Sequence, residues 1–331
     1  MRNEKLAKKI RFSEKPQRFS LIPFPLSLIS FPFSFFLFLF YLLLFTFYLF
    51  SCSSAPKKAT EIYTIRNTAS SQLILANETA SHGRYEDALV TVEGARQLAV
   101  SADDPPLRIK TSISRGNILF SLGRGHQALE ELESAAVEAD AAGEKSLAAQ
   151  ARISIIRVSV MQLTAENTAE NVTDNAATAK IEEYKDSLTG EMAAVRSDQF
   201  ATADGYVTLG MVEKGLGNWA EAESALRRAL DVHVKNLSLE AAAYDWFIIA
   251  SIRSMAGNYD SALEALRTAI GYDRRAENGF GLASSWQAMG EVLEKAGRTE
   301  ESRDAWHRAA EIYRAISMKD LAEKLEGQLL P

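Results

Sequence analysis

The side chains able to carry chemistry are few and far apart. Cys52 is the only cysteine, and the four histidines, His82, His126, His233 and His307, each stand more than forty positions from the next. A metal centre needs ligands at close spacing, as in a His-Glu-x-x-His pair on one helix face, and no such pair occurs. The carboxylate pairs Asp103-Asp104 and Glu182-Glu183 read as solvated helix ends and faces. Two stretches, Gly123-x-Gly125-x-x-Ala128 and Gly215-x-Gly217-x-x-Ala220, have the glycine spacing of a dinucleotide loop. Such a loop holds pyrophosphate only where a strand runs into it, and here a helical pattern precedes both. The residues therefore predict no catalytic constellation, no metal and no cofactor, and the chain is expected not to be an enzyme.

The elements around those residues repeat. Gly217-Asn218-Trp219 is followed by Ala222, Leu226 and Ala229; Gly257-Asn258-Tyr259 by Ala262, Leu266 and Ala269; Gly297-Arg298-Thr299 by Ser302, Trp306 and Ala309. The step from Gly217 to Gly257 is the same as that from Gly257 to Gly297, and a fixed step of this size marks a solenoid. Upstream of each glycine, one helix face carries Tyr206, Leu209 and Gly210; Trp246, Ile249 and Ala250; or Trp286, Met289 and Gly290. Each unit thus predicts two antiparallel helices that meet across small residues and join at a left-handed glycine. Two earlier copies turn at Gly83 and Gly123, again one step apart, and Asp104-Pro105-Pro106 marks a helix start between them. The stretch from Gly123 to Gly217 is too long for two steps and too short for three, which predicts one divergent pair with an insertion. It includes a helix from Ser146 to Leu163 and a break at Leu188-Thr189-Gly190. Ser317-Met318-Lys319-Asp320 predicts a capping box opening a last helix, with Leu321 and Leu325 on one face and Lys and Glu elsewhere.

These residues resemble the tetratricopeptide repeat, in which an aromatic, Leu-Gly, Gly-Asn-Tyr and two alanines recur over two helices. The step here is longer than that family's, and no proline closes the second helix. The resemblance implies an all-α, right-handed α-solenoid of about six helix pairs plus a C-terminal capping helix. Its subarrays would span residues 66–190 and 191–331. It also implies a groove lined by the first helix of each pair. Carried onto this chain, the lining positions are Leu73 and Asn77; Ile113, Asn117 and Phe120; Val207 and Met211; Tyr244, Phe247 and Ser251; and Gln287, Glu291 and Glu294. The cations that clamp a terminal carboxylate in chaperone-binding members are absent from this set. Its apolar members favour an apolar or aromatic segment over an acidic tail. The alternative, that these side chains simply pack the helices together, stays open.

Residues 1–51 are of another kind. Seven Lys and Arg give a basic head, and the run from Phe33 to Phe50 is uncharged; twelve of the sixteen phenylalanines lie here. Such a stretch is a signal peptide or a membrane span. Leu49-Phe50-Ser51-Cys52 resembles a bacterial lipobox, which implies cleavage and lipidation at Cys52, a tether over 52–65 and anchorage in the cell envelope, the outer membrane favoured by Ser53. Beyond residue 51 the net charge is −11, which argues against nucleic-acid binding. The expected function is a membrane-anchored lipoprotein that binds a protein or peptide as a scaffold or assembly factor. The alternative is a ligand-binding accessory of a solute transport system, with a small apolar ligand.

Overall fold

The computed structural model describes residues 37–43, 63–170 and 175–329. The basic head, both ends of the apolar run, Cys52 and nearly all of the tether lie outside them. Residues 37–43 form a short exposed helix, α1. Among the described residues no helix is long and apolar enough to cross a membrane.

From Tyr63 onward the chain forms one unit of helices joined by tight turns. The helices are α2 (Thr64–Ser81), α3 (Tyr85–Ser101), α4 (Pro105–Ser121), α5 (Gly125–Ala141), α6 (Lys145–Glu170), α7 (Asn175–Ala194) and α8 (Gln199–Gly215). They continue with α9 (Trp219–Lys235), α10 (Leu239–Met255), α11 (Tyr259–Ala276), α12 (Gly279–Lys295), α13 (Thr299–Ala315) and α14 (Lys319–Leu329). Even-numbered helices up to α12 are the first (A) helix of a pair and the following odd ones the second (B), giving six pairs with α14 as the cap.

The underlying period is half of the step seen in the sequence. Left-handed residues fall at 83, 103, 123 and 143, and again at 217, 237, 257, 277, 297 and 317. At each of them the amide of the next residue reaches five positions back, as in Arg84 to Thr79 at 3.2 Å and Asn258 to Arg253 at 2.8 Å. The left-handed residue itself bonds three back, as Gly83 does to Ala80 at 2.9 Å. This double closure satisfies the last carbonyls of one helix and reverses the chain. Among the described residues glycine occupies every such turn within a pair, whereas Asp103, Gly143, Leu237, Glu277 and Ser317 serve between pairs.

Within a pair, a small residue on A receives a large one on B sixteen positions later. A Cβ on Gly116 would lie 2.6 Å from Leu132, on Gly210 2.7 Å from Leu226, and on Gly290 2.3 Å from Trp306. Close approach of the backbones is thus set by glycine at these positions, and Leu132 and Leu226 are fully buried as a result.

The α6–α7 pair departs from the period. Gly143 and Gly217 stand fourteen positions further apart than three half-steps would put them, and α6 runs on past residue 163, where its turn would fall. Ile153, Ile156, Val160, Ile181, Leu188, Val195 and Val212 bury the extra length in a core of their own. Lys185 on α7 pairs at 2.8 Å with the nearly buried Glu213 of α8, tying the pair to the next repeat.

Two local expectations are corrected. Leu188-Thr189-Gly190 is not a break: α7 continues to Ala194, because Leu188 is fully buried in that core and a single glycine costs a packed helix only about 1 kcal/mol. The chain turns at 195–198 instead, where Asp198 caps α8 through the amides of Phe200 and Ala201. Nor does Ser317 open a capping box: it occupies the left-handed turn position, with φ 66°. Ala322 and Leu325 are the buried pair on α14, while Leu321 is exposed. Asp104 does cap α4, accepting from Leu107 N, with Pro105 opening the helix.

Candidate ligand groove

The A helices pack on one another from pair to pair (α2 on α4, α4 on α6, α6 on α8, α10 on α12) in addition to packing on their B partners. When one set of rods is close-spaced and the other fans apart, the close-spaced set lines the concave side of the curve. Side chains on the A helices therefore decide what that side offers.

Asn77, Asn117, Ser251 and Glu291, each six places before a turn, and Arg157, one full step after Asn117, form a ladder along the A helices. Asn77 Oδ1 accepts from Ser114 Oγ, joining α2 to α4. Asn117 Oδ1 accepts from Arg157 Nη2 at 3.0 Å, joining α4 to α6. Lys214 Nζ donates to Ser251 Oγ at 2.8 Å, joining α8 to α10. On α10, Tyr244 and Phe247 stack with ring centroids 6.5 Å apart and planes 9° from parallel. Tyr244 is 48% exposed. On α12, Gln287 donates to Glu291 at 3.2 Å and accepts from Tyr313 OH at 3.3 Å.

Asp204 and Tyr244 occupy the same register position one repeat apart. Both reach solvent, yet burial is the first cause raising the pKa of each, with the Arg157 cation pulling both the other way. The Lys214 pKa is pushed down by burial and then by Lys295, and its described hydrogen bond is to a neutral hydroxyl.

Three of the expected lining residues are corrected. Ile113, Val207 and Met211 are at most 9% exposed and belong to the apolar cores between helices. Leu73, Phe120 and Phe247 are half-buried against those cores, each with an edge uncovered. Asn77, Tyr244, Glu291 and Glu294 are exposed, and Asn117, Ser251 and Gln287 half-buried, on the A helices.

Three residues missed from sequence stand among them. Arg157 lies one full step after Asn117, but α6 lacks the glycine turn that would have shown its register. Asp204 lies one full step before Tyr244. Lys214 precedes its turn by three, as Phe120 and Glu294 precede theirs. Arg157 and Lys214 thus put two half-buried cations on the A helices, outside the set named from the sequence.

The histidines gain partners that linear spacing hid. His233 Nδ1 lies 2.6 Å from Asp245 Oδ2, buried between α9 and α10, and His82 Nε2 lies 3.2 Å from Glu240. One repeat on from His233, the same slot holds Asp273, whose carboxyl is pushed up to about 7, chiefly by burial; Asn278 and Ser285 oppose the shift and Glu240 adds to it. His233–Asp245 and Asp273 are polar plugs in the seam between one B helix and the next A helix. Among the described residues, no three His, Cys, Asp or Glu side chains gather closely enough to hold a metal ion.

The family profile described as "Tetratricopeptide repeat" matches residues 202–240, which span α8, α9 and the turn at Gly217. None of the curated proteins compared matches the sequence. Among solved structures, a Rap protein complexed with competence and sporulation factor aligns over 79% of this chain and 73% of its own, at 14% identity and a TM-score of 0.53. A thermophilic TPR protein in Thermus thermophilus aligns over 66% of this chain and 98% of its own, at 19% identity and a TM-score of 0.43. Residues 202–240 carry a tetratricopeptide repeat, and the helices from α2 to α14 form a tetratricopeptide-like α-solenoid.

Proposed function

We propose that this chain binds an extended segment of a protein or peptide partner along the concave face of its solenoid, as a non-catalytic scaffold or assembly factor. The observation that carries the reading is the stacked, half-exposed Tyr244–Phe247 pair, flanked by Arg157 and Lys214. A wet aromatic pair offers a face for an apolar or aromatic side chain. Two half-buried cations offer partners for a carboxylate. The asparagines on the ladder can grip a backbone amide or carbonyl. The Rap protein of similar fold was solved with a factor bound, which supports this use of the fold.

The reading includes anchorage: a basic head, an apolar run and Cys52 are the features of a lipoprotein signal, so the solenoid works from a membrane of the cell envelope. Two acyl chains on one cysteine anchor durably. Replacing Cys52 with Ser should abolish acyl labelling and leave the precursor uncleaved; unchanged labelling would refute the anchor. For the groove, a photo-crosslinking phenylalanine analogue at Tyr244 should capture a defined envelope partner. The same analogue at Val137, an exposed position on the B helix α5, should not. Phe247→Ala and Arg157→Ala should weaken capture. Equal adducts at both positions, or none at Tyr244, would remove the groove from consideration.

A further inference from the structure

The first turn of the solenoid is unlike the turns that repeat it. A Cβ on Gly123, Gly257 or Gly297 would meet nothing within 4 Å, and on Gly217 only its neighbour Trp219 at 3.8 Å. A Cβ on Gly83 would lie 2.5 Å from Phe280 Cδ2 and 2.8 Å from Met318 Cε, side chains some two hundred positions further along the chain. Phe280 stands at the start of α12 and Met318 just before α14, so both belong to turns between pairs. Gly83 belongs to a turn within a pair, at the opposite edge of the ribbon of helices. One edge of the first repeat therefore rests on the other edge of the last repeats.

Two further contacts cross the same junction. Tyr85 meets Phe280 edge to face, centroids 6.0 Å apart, and Phe280 in turn meets Tyr313 at 6.2 Å. His82 Nε2 lies 3.2 Å from Glu240 Oε1 on the first turn of α10. The residues are particular to this turn: where His82 and Tyr85 stand, the next repeat has Leu122 and Gly125.

We propose that the His82–Tyr85 turn is a clasp: it closes the solenoid on itself through Phe280, Met318 and Glu240, and its release admits a bound chain to the concave face. Closing the seam brings Tyr85 toward Tyr244 of α10. Burial raises the Tyr85 hydroxyl pKa first, followed by Tyr244 and by Tyr313. The clasp itself is independent of what binds; its gating role rests on the groove reading above. The junction is small and mostly aromatic, with one half-buried His82–Glu240 contact of the kind that contributes little alone. Such a contact suits reversible opening rather than permanent closure.

The test uses the full chain, purified in detergent with Cys52→Ser, Arg84→Cys and Leu321→Cys, and nitroxide labels on the two new thiols. Pulsed paramagnetic resonance should give one narrow distance distribution. Phe280→Ala with His82→Ala should broaden and lengthen it. Ile312→Ala, on α13 in the same C-terminal core, should not, and circular dichroism melting shows which variants stay folded. A broad distribution in the parent, or no change in the double variant, would overturn the clasp. For gating, a single thiol at Ser251→Cys should react several-fold faster with a bulky polyethylene-glycol maleimide once the clasp is broken, and at an unchanged rate with N-ethylmaleimide. Equal rates in a chain shown to be open would overturn the gate and leave the groove reading standing. His82→Ala alone, which removes no apolar contact, serves where the double variant fails to fold.

Discussion

Between Gln199 and Ala315 every helix has 17 or 18 residues. Each within-pair turn there is a left-handed glycine. The α6 and α7 helices, by contrast, run to 26 and 20 residues and share no such turn among the described residues. The regular repeats are held by one rule applied over and over: a small residue on A, a large one on B, a glycine between. The α6–α7 pair is held by a private core of Ile, Leu and Val. The contrast separates two jobs of glycine. In the repeats it permits close approach or a left-handed turn; in α7, Gly190 has open space around it and does neither. It also shows that the irregular pair is not a spacer, because it carries Arg157 into the groove ladder.

The largest effect should come from breaking the repeat rule. Gly290→Ala puts a Cβ 2.3 Å from Trp306, whose indole is pinned by its bond to Gln287 O. A loss of about 3 kcal/mol is expected, read as a fall in thermal midpoint. Should Gly290→Ala melt with the parent, close approach is not what the glycine provides.

Next in size is the pH response of the plug one repeat beyond His233. Asp273 is raised to about 7 from an ordinary 3.8, so the folded state holds its proton more tightly than the unfolded chain does. Its contribution is fully present below about pH 4 and is lost as pH rises through 7. Thermal stability should fall between about pH 5 and pH 8 by several degrees more in the parent than in Asp273→Asn. Identical slopes in the two proteins would contradict the shift.

Smaller again is the turn itself. Gly257→Ala meets no atom, so only its φ of 77° opposes the change, and the cost should be about 1 kcal/mol. Leu237→Gly, which relieves the same strain at φ 57° between pairs, should stabilise by a comparable amount. The smallest effect is Gly190→Ala in the irregular pair, a gain of about 0.5–1 kcal/mol by helix propensity alone. Opposite signs for Gly290→Ala and Gly190→Ala in one urea titration would establish the contrast directly.

What could be read ahead of the structure followed from where the periodic signal was strong. Gly217, Gly257 and Gly297 with their trailing alanines specify hairpins locally, since the turn needs a residue that tolerates positive φ and the seam needs one without bulk. The turns between pairs were harder to see, because Leu237, Glu277 and Ser317 are ordinary residues forced left-handed by packing on both sides. Register alone puts Asn77, Asn117 and Tyr244 on the A helices, where the first and last are exposed and Asn117 is half-buried. Ile113, Val207 and Met211 could not be told from core, because a helix position facing the groove lies only one step round from a position facing the next helix.

The chain's own residues determined that it is helical, paired and repeating, because helix propensity, small-residue spacing and glycine turns all act over distances shorter than one repeat. Only the tertiary structure decided which A-helix side chains stay wet, that Arg157 reaches Asn117, and that Gly83 meets Phe280. Those outcomes depend on the accumulated angle of six pairs. A small rotation per pair, invisible in any one of them, brings the first turn back against the last.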